Sequence, residues 1–269
     1  MLTMFKRLAS LIPTPATNKV TLFVSDTGIP SYKDDAGLVT PMSGQPIPAG
    51  YIDGLKMEWV SGTQMRFTSG SAYIPSLGRA LALAAAVTKS PSLAASTWYH
   101  AYLYSNAGTP DVEVTTTAPD TPYSGTARTK TGDTSRRYIG SFKTDASSNV
   151  IQFQVGTNDS FEYRIPANTQ PLRCLSNGVA TTRTTVSLAA AVPVTATAVS
   201  LILTNTMSSG FGLLSVPGVA PELFGVPTAG GVGQFFDFVL STSQTMDYRI
   251  SSADTNGLYI DVRAFRVAR

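Results

Sequence analysis

Charge is what this chain lacks most. Asp, Glu, Lys and Arg make up 14% of its 269 residues, and the net charge is only +3. An ordinary globular protein carries about a quarter charged residues, and a nucleic-acid-binding surface concentrates far more positive charge. Nucleic-acid binding is therefore not expected. There is one cysteine, Cys174, which excludes an intrachain disulfide and a cysteine-built zinc site and suits assembly in a reducing cytoplasm. There is one histidine, His100, around which any Ser-His-Asp triad or imidazole metal site would have to be built. Its place mid-strand between Trp98 and Tyr102 suggests a ring packed among aromatics instead.

Glutamate is scarce too. Glu58, Glu113, Glu162 and Glu222 each stand alone, and the 13 aspartates fall mostly in turns. Paired carboxylates for glycoside hydrolysis are not evident. Turn aspartates have a local reason to exist, because their side chains bond nearby backbone amides. Asp34-Asp35 lacks the spacing of a calcium loop. The Gly-rich GVPTAGGVGQ lacks the lysine of a phosphate-binding loop, and no helical pattern follows it. The charge-free run from Thr184 to Pro221 is broken by Pro193 and Pro217, so it does not suit a bilayer helix, and no membrane insertion is expected. No catalytic residue, metal or cofactor is expected.

What is present is strand-forming sequence separated by small-residue turns, which predicts an all-β chain. Residues 1–50 read as a short β-module, opened by a brief amphipathic turn in which Met1, Leu2, Met4, Phe5, Lys6, Leu8 and Leu11 are the candidate attachment contacts. In VTLFVSD, Val20, Leu22 and Val24 alternate with Thr21, Phe23 and Ser25, as in a half-exposed strand. Residues 51–165 read as a β-sandwich-like central domain. ALALAAAVTKS is read as strand despite its alanine, because Pro91 follows and its neighbours are strand-like. STWYHAYLYS places Trp98, His100, Tyr102 and Tyr104 on one face and Tyr99, Ala101 and Leu103 on the other. RRYIGSFKTD and NVIQFQV are predicted to form a hairpin around Ala146–Ser148, with Ile151, Phe153 and Val155 inward.

Residues 166–269 read as a β-sandwich or jelly roll, whose strands include VSLILTNT, FFDFVLST, MDYRISS and LYIDVRAFRV. In the last, Leu258, Ile260, Val262 and Ala264 alternate inward until Phe265 breaks the phase, which predicts a β-bulge. If this unit is a binding tip, Phe211, Phe224, Asn256 and Tyr259 are its candidate contacts.

The stretch RTKTGDTSRRYIGSFKTD gathers Arg128, Lys130, Arg136, Arg137 and Lys143 around a Gly-Asp-Thr-Ser turn. A phosphate nest there should open a helix, but RRYIGSF is strand-like. The reading is a structural clamp, in which Arg128, Arg136 and Arg137 hold a turn carboxylate such as Asp133 or stack on tyrosines.

WYHAYLYSNAGTPDVEV followed by TAPDTPYSGTARTKTGDTSRRYIGSFKTDASSNVIQF resembles a β-domain of tailed-bacteriophage tail-fibre, baseplate and head-fibre proteins. The shared order is a Trp-Tyr strand, an Asn-x-Gly turn, a Pro-Tyr-Ser-Gly segment and a Thr-Ser-Arg-Arg-Tyr-Ile-Gly segment, over roughly Tyr51 to Val155. TNKVTLFVSDTGIPSYKDDAGLV looks like the short module that begins many virion proteins. The resemblance implies a non-enzymatic virion structural protein, assembled in the bacterial cytoplasm as a homotrimer. Its expected role is a tail-fibre or baseplate appendage in host adsorption. The alternatives are a capsid-attached head fibre or decoration protein, a tailspike that binds or degrades polysaccharide, and, apart from the resemblance, a cellular carbohydrate-binding module, for which Trp98, Tyr102 and Tyr104 would be the exposed platform. Its partners would be itself, other virion proteins and a host-surface glycan or receptor.

Overall fold

The computed structural model describes residues 6–269, apart from 27, 43–46, 157, 166–171, 220, 221, 223, 229–233, 241 and 242. The chain is all-β: no described residue lies in an α-helix, and the strands form several sheets, none closed into a barrel. It divides into two compact units, Met1–Pro48 and Ala49–Arg269.

In the first unit, Lys6–Arg7, Thr21–Ser25, Pro30–Lys33 and Val39–Pro41 form one sheet in chain order. The first pair is parallel and the others antiparallel. Asp34 shapes the last turn, its carboxylate accepting the N–H groups of Ala36 and Leu38, while Asp35 accepts that of Asn18. These are the local duties expected of turn aspartates. The expected amphipathic turn is a single 3-10 turn, Ala9–Leu11, followed by Ile12, which is buried. Within the Thr21–Ser25 strand the buried residue is Phe23, whereas Leu22 is exposed.

The second unit holds a single contiguous core that runs from Leu55 to Val267. Two three-stranded sheets come first. One pairs Gly70–Ile74 with Ile52–Gly54 and Arg79–Leu83; the other pairs Gln64–Phe67 with Met57–Ser61 and Val87–Lys89. The alanine-rich segment is thus strand, with Leu81 and Leu83 alternating inward. Next, a four-stranded sheet runs in the order Thr109–Thr115, Trp98–Asn106, Asp133–Lys143, Thr129–Lys130.

A six-stranded sheet is built on Leu258–Val267, which pairs with Ala196–Asn205, Ser160–Tyr163 and Arg173–Gly178; Phe153–Val155 and Gln234–Val239 extend it. A further four-stranded sheet has the order Thr184–Ser187, Thr245–Ile250, Phe211–Ser215, Phe224–Pro227. Buried faces of these sheets share the one core, which gives the unit its β-sandwich-like character.

No boundary falls at 165/166. Ser160–Tyr163, placed by sequence in the central domain, is a strand of the sheet made by the final residues, and Phe161 stacks on Phe265 with centroids 5.1 Å apart. Trp98 Nε1 and Lys143 Nζ donate to the carbonyls of Ala189 and Ala190 at 2.9 and 2.6 Å, tying the central sheet to the later segment. The predicted hairpin is correspondingly short. Its turn closes with Asp145 accepting from Ser147 and Asn149, and with a bridge between Thr144 and Val150. Beyond that, Phe153–Val155 pairs with Ser160–Tyr163 rather than with Asp133–Lys143. Ile151 and Phe153 are buried as expected, and Gln152 and Gln154 are exposed.

The bulge in the last strand is present. Leu201 stands opposite Val262 and Ser200 opposite Ala264, which leaves Arg263 as the extra residue. Beyond it Phe265 and Val267 are buried.

Candidate functional site

The cations of RTKTGDTSRRYIGSFKTD are consumed by the fold. Arg136 Nε and Lys130 Nζ donate to the two oxygens of Glu113, at 2.7 and 2.6 Å. Arg136 also lies over the Tyr104 ring, 4.1 Å from its centroid. Burial alone would raise the Glu113 carboxyl, but the hydrogen bonds from Lys130 and Arg136 hold it below its ordinary range. Asp133, the carboxylate the sequence proposes for this clamp, is 3.8 Å from Arg136 and instead accepts from the N–H and hydroxyl of Ser135. The clamp exists, but its anion is Glu113.

Arg128 donates to the Asp120 carbonyl at 2.7 Å. Arg137 is fully buried and donates to the carbonyl of Tyr138 at 2.8 Å, with its Nε unpartnered. These guanidiniums hold backbone carbonyls and leave no cradle for a phosphate.

His100 heads the most chemistry-like cluster. Its Nδ1 is 2.7 Å from Ser141 Oγ, which is 2.8 Å from the Tyr138 hydroxyl, itself 2.7 Å from Thr195 Oγ1. All four residues are buried, and burial pushes the imidazole down to about 4. A neutral ring beside a serine looks like a nucleophile–base pair, yet acyl transfer needs a substrate within reach of the hydroxyl, and Ser141 is 0% exposed. The arrangement is a polar pin inside the core.

The aromatic platform does not form. Tyr102 is fully buried, with its hydroxyl donating to the Thr117 carbonyl at 2.7 Å. Tyr104 lies under Arg136, and Trp98 meets Phe265 edge-on and the Lys143 ammonium at 5.4 Å. Trp98 and Tyr104 are only partly exposed and Tyr102 is buried between them, so the three rings do not make one open platform. Cys174 is half-buried, and burial pushes its thiol up to about 12, a value that makes it a poor nucleophile.

Of the attachment contacts, Met1, Leu2, Met4 and Phe5 lie outside the described residues, as does the Lys6 side chain. Leu8 and Leu11 are strongly exposed. Around them the first unit shows a wider apolar surface. Leu22, Tyr32 and Thr40 form one cross-strand row, and Val24 stands opposite Pro30 on the same side. Lys6 pairs with Val24 at the edge of that face. Leu22 is 57% exposed, and Met42, whose N–H continues the ladder to Pro30, is 56% exposed. Eight of the sixteen strongly exposed large apolar side chains among the described residues lie in residues 1–48, where only Ile12 and Phe23 are buried apolar residues. No single position in the sequence signals this face, which arises from register.

Of the tip candidates, Phe211 is half exposed and Asn256 exposed, both near the 206–210 and 251–257 loops. These loops are joined by Asp254, which accepts from the N–H and hydroxyl of Ser208. Tyr259 is instead half-buried under Arg173, 4.9 Å from the guanidinium, and Arg173 makes a two-pronged pair with the buried Asp261. The Phe224 side chain lies outside the described residues.

A cavity of about 410 Å³ opens against the six-stranded sheet, where Ser160, Ser200, Asp237, Val239 and Arg266 converge from four strands. Its carboxylate, hydroxyls and guanidinium could hold a polar ligand. Sequence reasoning missed it because the residues meet only through pairing. No group of His, Cys, Asp or Glu suited to a metal ion occurs among the described residues. Compared with known proteins, the chain matches no family model, no curated protein and no solved structure.

Proposed function

We propose that the chain is a non-enzymatic structural protein of a bacteriophage virion, a tail-fibre or baseplate appendage that takes part in host adsorption and assembles as a homotrimer. The carrying observation is the first unit. Among the described residues of the first unit two apolar side chains are buried and eight large ones are exposed, several of them on a sheet face that carries a charged residue, Lys6, only at its edge. Such a face is explained by a partner that covers it, and the reading assigns that cover to the particle and to neighbouring copies.

The second unit supports the same reading by different means. Its polar chemistry is spent inward, in the Glu113 clamp and the His100–Ser141–Tyr138–Thr195 chain, as suits a durable scaffold. Contact with a host-surface glycan or receptor is assigned to the cavity at Asp237 and Arg266.

The test is electron microscopy of intact particles labelled with gold-tagged antibody to this chain. Gold at the tail end supports the adsorption appendage. Gold on the capsid replaces it with a head fibre, and unlabelled particles overturn the virion reading.

A further inference from the structure

The sequence contains two Asn-Gly dipeptides, Asn177-Gly178 and Asn256-Gly257, and the fold stacks one on the other. Gly178 pairs with Leu258, and a methyl group added to Gly257 would lie 2.3 Å from the Gly178 carbonyl oxygen. The reverse substitution would drive Gly178 into Leu175 and Tyr248 at 2.5 and 2.6 Å. Gly257 is therefore demanded by close backbone approach, and Gly178 by the side chains packed over it.

The two asparagines are held differently. Asn177 has a left-handed backbone, φ 49°, which asparagine tolerates, and its side-chain amide donates to the Thr255 carbonyl at 3.2 Å. Asn256 is exposed and its backbone N–H is fixed by Asp254 at 3.0 Å, but its side chain makes no hydrogen bond among the described residues. Packing thus explains the residue at 177 and leaves the amide at 256 free to turn toward the next peptide nitrogen. Glycine at that next position offers the least steric resistance to attack.

We infer that Asn256 is a self-modification site, converting to aspartate and isoaspartate while Asn177, held by the Thr255 carbonyl, stays intact in the folded protein. The Gly257 nitrogen attacks Asn256 Cγ, the N–Cγ bond forms, and ammonia leaves to give a succinimide. Water then opens that ring at either carbonyl, so no oxidant, reductant or second protein is needed. The product carries a new negative charge beside Asp254, on the loop end that also bears Phe211. The isoaspartate form adds a methylene to the main chain where Gly257 has no room against Gly178, which loosens the junction of the 206–210 and 251–257 loops.

The experiment incubates the whole chain in mildly alkaline buffer, folded and in urea, and follows both peptides by mass spectrometry with isoaspartate detection. In the folded protein the 256 peptide is expected to convert several-fold faster than the 177 peptide. In urea the two rates converge, and Asn256→Gln removes the fast conversion alone. Equal rates in the folded state, faster conversion at 177, or no conversion at 256 would overturn the assignment.

Discussion

His100 Nδ1 stands 2.7 Å from Ser141 Oγ, and that bond begins a buried chain through the Tyr138 hydroxyl to Thr195. The chain joins two strands of the central sheet to a segment outside it, so its energetic role is to fix how that sheet meets the later part of the unit.

The first prediction concerns pH. Burial holds the His100 imidazole neutral, at about 4 against 6.5 for the free side chain. The unfolded chain therefore binds a proton that the native chain refuses. The stability contributed by the neutral ring is complete above pH 6.5, declines as pH falls, and is lost below 4. The difference amounts to about 3 kcal/mol across the window. Urea unfolding at neutral pH and near the acid end should show this loss in the natural chain. His100→Gln should show a flatter dependence over the same window, and identical slopes would contradict the assignment.

Removing the next link should be felt without acid. Tyr138→Phe leaves Ser141 and Thr195 short of a shared partner in the core. The expected cost is about 1–2 kcal/mol in the urea midpoint, with the denaturant slope unchanged.

The Glu113 clamp and the Asp133 turn can be separated. Glu113→Gln strips the anion from both Lys130 and Arg136 and is expected to cost about 1–2 kcal/mol, discounted because all three groups retain some solvent. Asp133→Ala loses the turn bonds to Ser135 and the longer 3.8 Å contact with Arg136, together about 1 kcal/mol or less. Because the Glu113 carboxyl is held below its ordinary value, the stability it contributes is present above pH 4.5 and lost as pH falls through its folded pKa. An Asp133 variant that costs more than the Glu113 variant would show the clamp to be misassigned.

Two glycines make a further pair. Gly257→Ala places a methyl 2.3 Å from the Gly178 backbone, which no rotamer relieves, and should cost more than about 3 kcal/mol. Gly132→Ala meets nothing within 4 Å and suffers only from its φ of 76°, so about 1 kcal/mol is expected. Thermal melts of both variants check the ranking.

Much of the strand content was legible in the sequence because it is local. Alternation in LYIDVRAFRV carries the last strand, and its break of phase at Phe265 points to a bulge, which the pairing puts two residues earlier, at Arg263; Pro91 with its neighbours argues strand for the alanine-rich segment. What was illegible depends on pairing between distant segments. Nothing near Ser160–Tyr163 announces a partner a hundred residues later, so a boundary at 165/166 separates strands that share one sheet. The anion of the clamp was misread for the same reason. Asp133 is near in sequence, whereas Glu113 arrives through the register of Trp98–Asn106, where it sits opposite Tyr102. The aromatic platform failed because period-two patterning identifies two faces but not that Tyr102, in the middle of one, is fully buried. In the first unit Leu8 and Leu11 are legible as attachment candidates, whereas the face of Leu22 and Tyr32 forms only through cross-strand pairing.

The measurement that tests the account most directly is incorporation of a Leu22→Lys, Tyr32→Lys double variant into phage particles, compared with the natural chain. Both charges enter the Leu22–Tyr32–Thr40 row of the first unit, and neither residue belongs to the core of the second. The account predicts loss of the variant from purified particles while the second unit unfolds at an unchanged urea midpoint. Incorporation at the natural level, with both lysines in place, would contradict the claim that this face attaches the protein to the virion.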